Sequence, residues 1–407
     1  MPTAPSSPRP SGGPHPPAAA GPLAGTTVLD LSTVGPAARC TRLLADYGAR
    51  VIKVGPVPSA DAQPIEPTFF AYSGHRGMGR VLLDLKDEDG REAFLVLAAA
   101  GDVVVESFRP GVVDRLGIGY DAVSTRNPDI VYCSTSGYGQ DGPHAQWAGH
   151  DIDYLAVGGF LAMSTPGVDG APPLPGATIA DAAAGGMHAA LAITASLAGR
   201  AHTGRGAYLD VSVAEGVLWL MSLAIDEQLA LGGDISPGHD VLSGRFACYA
   251  PYRTSDGKWL AVGAIEAKFF ANLCNALGCP EVAPKQYDDE AQPAIRAAFG
   301  AVFGTRPRDE WIEALSAADT CVAPVLDVAE LTHYPHFVAR GTVAEARRPS
   351  EDRFRQLAPL LAGMPRLPEG ETVELPDPSH TDTEHLLKEA GVDGETVARW
   401  MDKKVIA

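Results

Sequence analysis

Between Thr27 and Val54 the chain passes from a short apolar run through a helically spaced run to a second apolar run, and few folds accept that alternation. Thr27 to Leu31 reads as a strand. Pro36 to Tyr47 reads as a helix with Ala37, Cys40, Leu43, Leu44 and Tyr47 on one side, Gly48 stops it, and Arg50 to Val54 reads as a second strand. Two strands joined through a helix run parallel, with a right-handed crossover. The pattern recurs as strand Val81 to Leu85, helix Glu88 to Ala100, strand Asp102 to Glu106 and strand Ile130 to Ser134. Beyond Asp181 come a helix to about Leu197, a turn over Gly199 to Gly206, strand Tyr208 to Val213 and a helix to about Leu231. The expectation is an α/β chain with an open, Rossmann-like parallel sheet. After the first strand stands Ser32-Thr33-Val34-Gly35-Pro36 in place of GxGxxG, which disfavours an NAD-dependent dehydrogenase.

The style then changes. Phe246 to Arg253 and Lys258 to Ala264 read as strands around the hairpin signal Ser255-Asp256-Gly257, followed by helices near Ala267 to Leu277 and Arg308 to Ala317. This predicts a tail over 1–21, a large α/β domain over 22–231, a smaller α+β domain over 232–331 and a return to the large domain over 332–407. With 407 residues and 45% apolar content, two cores are within reach. The first 21 residues are Pro, Ser, Gly and Ala with Arg9 as the one strong base and no apolar central region, so a disordered tail is expected there, not a signal peptide. No window approaches the roughly 18 uninterrupted apolar residues of a membrane span, and a soluble, cytoplasmic protein with no membrane partner is expected. The net charge of -18 argues against nucleic acid, so an anionic ligand must meet a local basic site. The six cysteines (Cys40, Cys133, Cys248, Cys274, Cys279 and Cys321) lack CxxC spacing and read as buried apolar residues in a reducing compartment. His333-Tyr334-Pro335-His336 reads as a loop, and no metal site is expected.

Proton-transfer capacity concentrates in Gly149-His150-Asp151-Ile152-Asp153-Tyr154, with an imidazole and two carboxylates within four residues. An imidazole is the side chain whose ordinary pKa lies nearest neutrality. Asp181 opens an alanine- and glycine-rich helix, and Glu266 ends a strand-like run. Taken singly, these are also what helix N-termini and N-caps look like. Lys53, Arg76, Arg109 and Arg115 read either as solvated surface charge or as the local basic site that phosphates require.

The opening Gly-Pro-Leu-Ala-Gly, Phe108-Arg109-Pro110-Gly111 with Arg115-Leu116-Gly117, Gly137-Tyr138-Gly139-Gln140-Asp141-Gly142-Pro143, Asp181 and Ser255-Asp256-Gly257 together resemble the family III CoA transferases from about Gly21 to the C-terminus. Gly149-His150-Asp151-Ile152-Asp153-Tyr154 and Val262-Gly263-Ala264-Ile265-Glu266 resemble the α-methylacyl-CoA racemase branch. The resemblance implies a large domain built from both chain ends, an interlocked homodimer, and CoA bound as part of an acyl-CoA substrate in lipid metabolism, with no tightly held cofactor. It implies catalytic roles for His150, Asp181 and Glu266. It implies CoA-binding roles for Lys53, His75, Arg76, Arg109, Arg115, Gly137, Tyr138, Gly149, Asp151 and Tyr154. An acyl-CoA thioester acidifies its α-carbon, so inversion needs one proton-transferring group on each face of the enolate, and His150 and Asp181 can fill those places. Backbone N–H groups at the start of the Asp181 helix are expected to stabilise the enolate, and Glu266 to orient His150. The chain departs from the racemase pattern at Pro56, where an arginine is usual, at Ala177 in place of Asn, at Ala182 to Ala184, and at Ser243-Gly244-Arg245-Phe246-Ala247. Two other readings stand beside the racemase. One is a CoA transferase in which Asp181 carries the acyl group and then CoA; the other is a non-catalytic CoA-binding protein.

Overall fold

The computed structural model describes residues 21–58, 68–233, 235–349, 353–360, 362–364, 366–368, 370–377 and 379–407. The tail expected over 1–21 lies outside them except for its last residue. Six strands, β1 (Thr27–Asp30), β2 (Arg50–Gly55), β3 (Gly79–Leu82), β4 (Val103–Glu106), β5 (Val131–Ser136) and β6 (Ala207–Ser212), form one sheet in the order β3-β2-β1-β4-β5-β6. Every neighbouring pair is parallel. The order is that of a doubly wound dinucleotide fold, reversing between β1 and β4.

Side chains that alternate along each strand feed two cores. Leu29, Ile52, Val104 and Tyr132 enter one, together with Phe94 of the helix Glu88–Ala100. Val28, Val51, Val103 and Val131 enter the other, with Leu44 of the helix Gly35–Asp46 and Ile193. Burial on both faces accounts for strands that are nearly all apolar. Helix α1 (Gly35–Asp46) starts with proline in its first turn, where the missing N–H is harmless, and is followed by Gly48 at φ 94. Helix α2 (Glu88–Ala100) is capped by Asp87, whose carboxylate accepts the Asp89 N–H, and places Glu88 and Asp89 at the positive end of its dipole.

The far end of the chain completes the sheet's first core, as expected. Leu82 N–H donates to Thr383 Oγ1 at 3.0 Å and Asp84 N–H to the Val405 carbonyl at 2.8 Å. Helices Thr383–Glu389 and Gly394–Asp402 bury Leu386, Leu387, Val397 and Trp400 in that core. Leu83 forms an antiparallel bridge with Ile406 and the Asp84 N–H goes to Val405, so the chain pairs with the return segment beyond Leu82, and β3 lies earlier than the predicted Val81 to Leu85. A three-stranded sheet of Val343–Arg347, Phe354–Leu357 and Thr372–Glu374 adds to the return segment.

The chain divides into two compact units, 1–151 with 178–216 and 341–407, and 152–177 with 217–340. Segments 152–177 and 217–231, predicted for the large domain, fall in the second unit by this division. In that unit β7 (Tyr249–Arg253) and β8 (Trp259–Gly263) pair antiparallel about the foreseen turn, with Thr254 N–H donating to the Lys258 carbonyl at 2.9 Å and Gly257 at φ 79. Strand β9 (Val322–Pro324) joins them, over a core of Leu260, Phe270, Phe299, Phe303 and Trp311. The helix expected up to Leu231 breaks at Met221 into Val213–Leu220 and Ser222–Leu231.

The helix beginning near Asp181 is longer than predicted. It runs as a π-helical segment, Ala180–Met187, and then as an α-helix, His188–Thr203, ended by Gly204 at φ 64. Among the described residues this run is long and apolar enough to cross a membrane by length and composition, although it has no uninterrupted apolar stretch of that length. Its Ala189 and Ile193 are buried against the sheet and Arg200 pairs with Asp102 at 2.9 Å. Five of the six cysteines are buried free thiols; Cys321 is exposed, contrary to expectation, in the turn before β9.

Candidate functional site

Open α/β sheets bind ligands beyond the carboxyl ends of their strands, at the point where the order reverses. Here that point lies after β1 and β4, and α1 begins just beyond β1. The π-helical segment packs directly on α1. A Cβ on Gly185 would stand 2.5 Å from Pro36 Cβ, and one on Gly186 would stand 2.8 Å from Arg39 Cβ. Glycine at these positions is what lets the two helices approach so closely. The wide turn of a π segment is a recurrent mark of functional sites, and Asp181 is its second residue.

The Asp181 N–H donates to Asp151 Oδ1 at 2.8 Å, and the Ala182 N–H to the Thr178 carbonyl at 3.0 Å. Two of the backbone N–H groups at this helix start, where enolate-stabilising donors are expected, are therefore already taken, one by a carboxylate 30 residues earlier. Burial, and then the Asp151 carboxylate, raise the Asp181 pKa above the ordinary aspartate value, while Arg39 and His150 pull it back. Such a carboxyl is a better proton donor at neutral pH than a solvated one and still a competent base.

His150 is exposed and immediately precedes helix Asp151–Val157. It acts electrostatically on Asp181, drawing that pKa down. The loop leading to it is fixed at several points. The Gly137 carbonyl accepts the Ala214 N–H at 3.0 Å, Gln140 N–H donates to Asp210 Oδ2 at 3.0 Å, and Gln146 Nε2 donates to the Pro110 carbonyl at 3.2 Å. Tyr138 meets His144 and Trp147 edge-on, with ring centroids at 5.9 and 6.1 Å, while His144 stacks on Trp147 at 3.7 Å. Gly149 belongs with these residues in the first unit, whereas Tyr154, buried, and Glu266, exposed, belong to the second. Glu266 precedes helix Ala267–Ala276 without making a side-chain cap, so the capping explanation for this glutamate does not hold.

A cleft of about 600 Å³ in the first unit carries several basic side chains, with Asp377 and Asp382 also on its wall. Lys53, His75, Arg80 and Arg348 line it, together with Ser32, Pro56 and Phe69. Lys53 is anchored on the fully buried Asp30 at 2.7 Å and on the Ser32 carbonyl. His75 has φ 54, stacks on Tyr72 and has a buried Nε2 that no described residue bonds. Burial and the Lys53 charge push its pKa down to about 4, so its ring is neutral at physiological pH. Arg76 is different. It is buried, forked onto Asp46 at 2.9 to 3.2 Å, and donates to the Leu357 carbonyl at 2.5 Å, which leaves its guanidinium no freedom to hold a phosphate. Arg109, just before helix Val112–Arg115, and Arg115, its last residue, are exposed. Arg80 and Arg348 had no signal in the sequence, Arg348 because it reaches the cleft from the return segment. In the second unit, Glu227, His239 and Asp240 lie close enough together for a metal ion, but His239 already bonds the Ser236 carbonyl at 3.1 Å and Glu227 at 3.0 Å.

Residues 23–379 match the model of CoA-transferase family III. The chain is 34% identical over 388 residues to human alpha-methylacyl-CoA racemase, covering 94% of this chain and 97% of that one. It is 32% identical over 343 residues to acetyl-CoA:oxalate CoA-transferase of Acetobacter aceti, covering 80% and 86%. The crystal structure of a CaiB/BaiF family protein from Brucella suis superposes with a TM-score of 0.66 at 29% identity, covering 79% of this chain and 89% of that one.

Proposed function

Since the chain belongs to CoA-transferase family III, we propose that it is an acyl-CoA racemase or epimerase that inverts the α-carbon of a 2-methylacyl-CoA thioester. The observation that carries this reading is the Asp181 carboxyl, raised by burial and by Asp151 and within electrostatic reach of His150. One of the two removes the α-proton to give a planar enolate, and the other, protonated, returns a proton to the opposite face. The reverse reaction exchanges their roles. The CoA nucleotide occupies the cleft of Lys53, His75, Arg80 and Arg348, and Arg348 and Arg80 supply the phosphate contact that Pro56 does not. Arg109 and Arg115 line the approach for the rest of CoA. CoA enters and leaves as part of the substrate, and the protein works in the cytoplasm without nucleic acid or membrane.

The working form is a homodimer of interlocked chains. Met187 and Leu191 on the Asp181 helix, and Trp219, Leu223, Leu229 and Leu231 in the second unit, are 59 to 80% exposed, and apolar surface of this kind calls for a covering partner. The likeness to the oxalate transferase supports a second reading, in which Asp181 attacks an acyl-CoA to form a mixed anhydride and CoA thiolate. The thiolate then displaces the carboxylate to leave an aspartyl thioester. In deuterated water with a 2-methylacyl-CoA and no acid acceptor, the wild type should exchange the α-proton and racemise. His150→Ala and Asp181→Ala should each slow racemisation by about a hundredfold to ten-thousandfold. Absence of exchange together with transfer of CoA to a free carboxylate would establish the second reading instead.

A further inference from the structure

Arg39 lies on α1 where that helix meets the π-helical segment, and its Nη2 donates to Thr178 Oγ1 at 2.5 Å. Thr178 is exposed and stands one turn before Ala182, whose N–H it accepts, so the guanidinium is held at the turn that presents Asp181. Its Cζ lies 5.7 Å from the Tyr72 ring centroid, and Tyr72 is itself fixed by the Gly35 N–H, which donates to its hydroxyl at 2.9 Å. Arg39 Nε is buried with no acceptor among the described residues, and the partner of Nη2 is a neutral hydroxyl. The other arginines that line this part of the first unit have carboxylates to match. Arg42 has Asp46 at 2.6 Å and Arg76 has Asp46 at 2.9 Å.

A positioned guanidinium with unmatched donors is costly beside an aliphatic chain, because its N–H groups lose water there and gain no acceptor, and the Asp181 carboxylate offsets its charge without a hydrogen bond. Its planar fork suits a carboxylate, which accepts two parallel N–H bonds. We propose that Arg39, backed by Thr178, is the specificity-determining residue of the acyl pocket and selects acyl-CoA substrates that carry a carboxylate on the acyl chain. This rests on the reading that Asp181 reacts at the α-carbon. The substrate class is then the CoA monoester of a 2-methyl-branched dicarboxylic acid.

The test compares α-proton exchange with 2-methylsuccinyl-CoA and with 2,4-dimethylpentanoyl-CoA, which replaces the carboxylate by an uncharged isopropyl group with the same branching. The wild type should favour the carboxylated ester in kcat/KM by about 10- to 100-fold, the range a charged hydrogen bond supplies. In Arg39→Met that ratio should fall to near one, mainly through KM for 2-methylsuccinyl-CoA, and Arg39→Lys should restore part of it. Calorimetry on Thr178→Val, a milder change, should show weaker binding of 2-methylsuccinyl-CoA than in the wild type. Equal use of the two esters by the wild type, or an equal loss with both in Arg39→Met, overturns this inference and leaves the racemase reading standing. No exchange with either ester overturns the racemase reading and the inference with it.

Discussion

Asp151 holds Asp181 in two ways that one substitution can separate. Its oxygen accepts the Asp181 N–H, and its charge raises the Asp181 pKa. In Asp151→Asn the amide oxygen can keep the hydrogen bond while the charge is lost. The Asp181 pKa should then fall, because the second of the two influences that raise it is gone. In the direction where Asp181 acts as base, kcat/KM rises with pH as Asp181 ionises, so the acid limb of the profile should move to lower pH. An unmoved limb would mean that another group sets it. Stability follows the same sign. A carboxyl whose folded pKa is raised contributes fully below its unfolded pKa, and the contribution is lost as pH rises through the folded value. His150 and Asp151 stood out in sequence because they share one short motif, and Asp181 because it opens an Ala- and Gly-rich run. Arg39 could not, since Thr178 is 139 residues away, and Arg76 misled because Asp46 and Leu357, which hold it, are distant in sequence.

The elements carry a different lesson in the helix that bears Asp181. Its run of Ala and Gly reads as helix, and helix it is, but the π geometry of Ala180–Met187 is set by contact with α1, which no local pattern reports. Gly185→Ala should therefore be felt well beyond one methyl group. The new Cβ would lie 2.5 Å from Pro36 Cβ and 3.0 Å from Val213 Cγ2, and a proline ring has little room to yield. Overpacking of this kind costs about 1 to 3 kcal/mol. Urea unfolding should show that loss, and α-proton exchange should slow because Asp181 shifts with its turn. An unchanged unfolding midpoint would mean that the two helices can separate without penalty. Strand β3 shows the same limit on a smaller scale, since its end is set by Thr383 and Val405.

At the scale of the whole molecule, the alternation of strands and helices conveyed the parallel sheet, and the turn at Ser255-Asp256-Gly257 conveyed the second style of fold. The unit boundaries were not legible, because membership in a core is decided by contacts between segments far apart, as with 152–177 and 217–340. Light scattering at micromolar concentration should give twice the 42.5 kDa chain mass. A stable monomer would remove the interlocked arrangement. The hydrogen bond between Leu82 and Thr383 spans 301 residues, and it carries a consequence for synthesis in the cell. At about 5 to 20 residues per second, a ribosome takes about 15 to 60 s to make the intervening chain. Throughout that interval the edge of β3 and the apolar face of α2 have left the ribosome without the helices that cover them. Nascent chains should engage a chaperone during that wait, and release should come only once the last helices emerge.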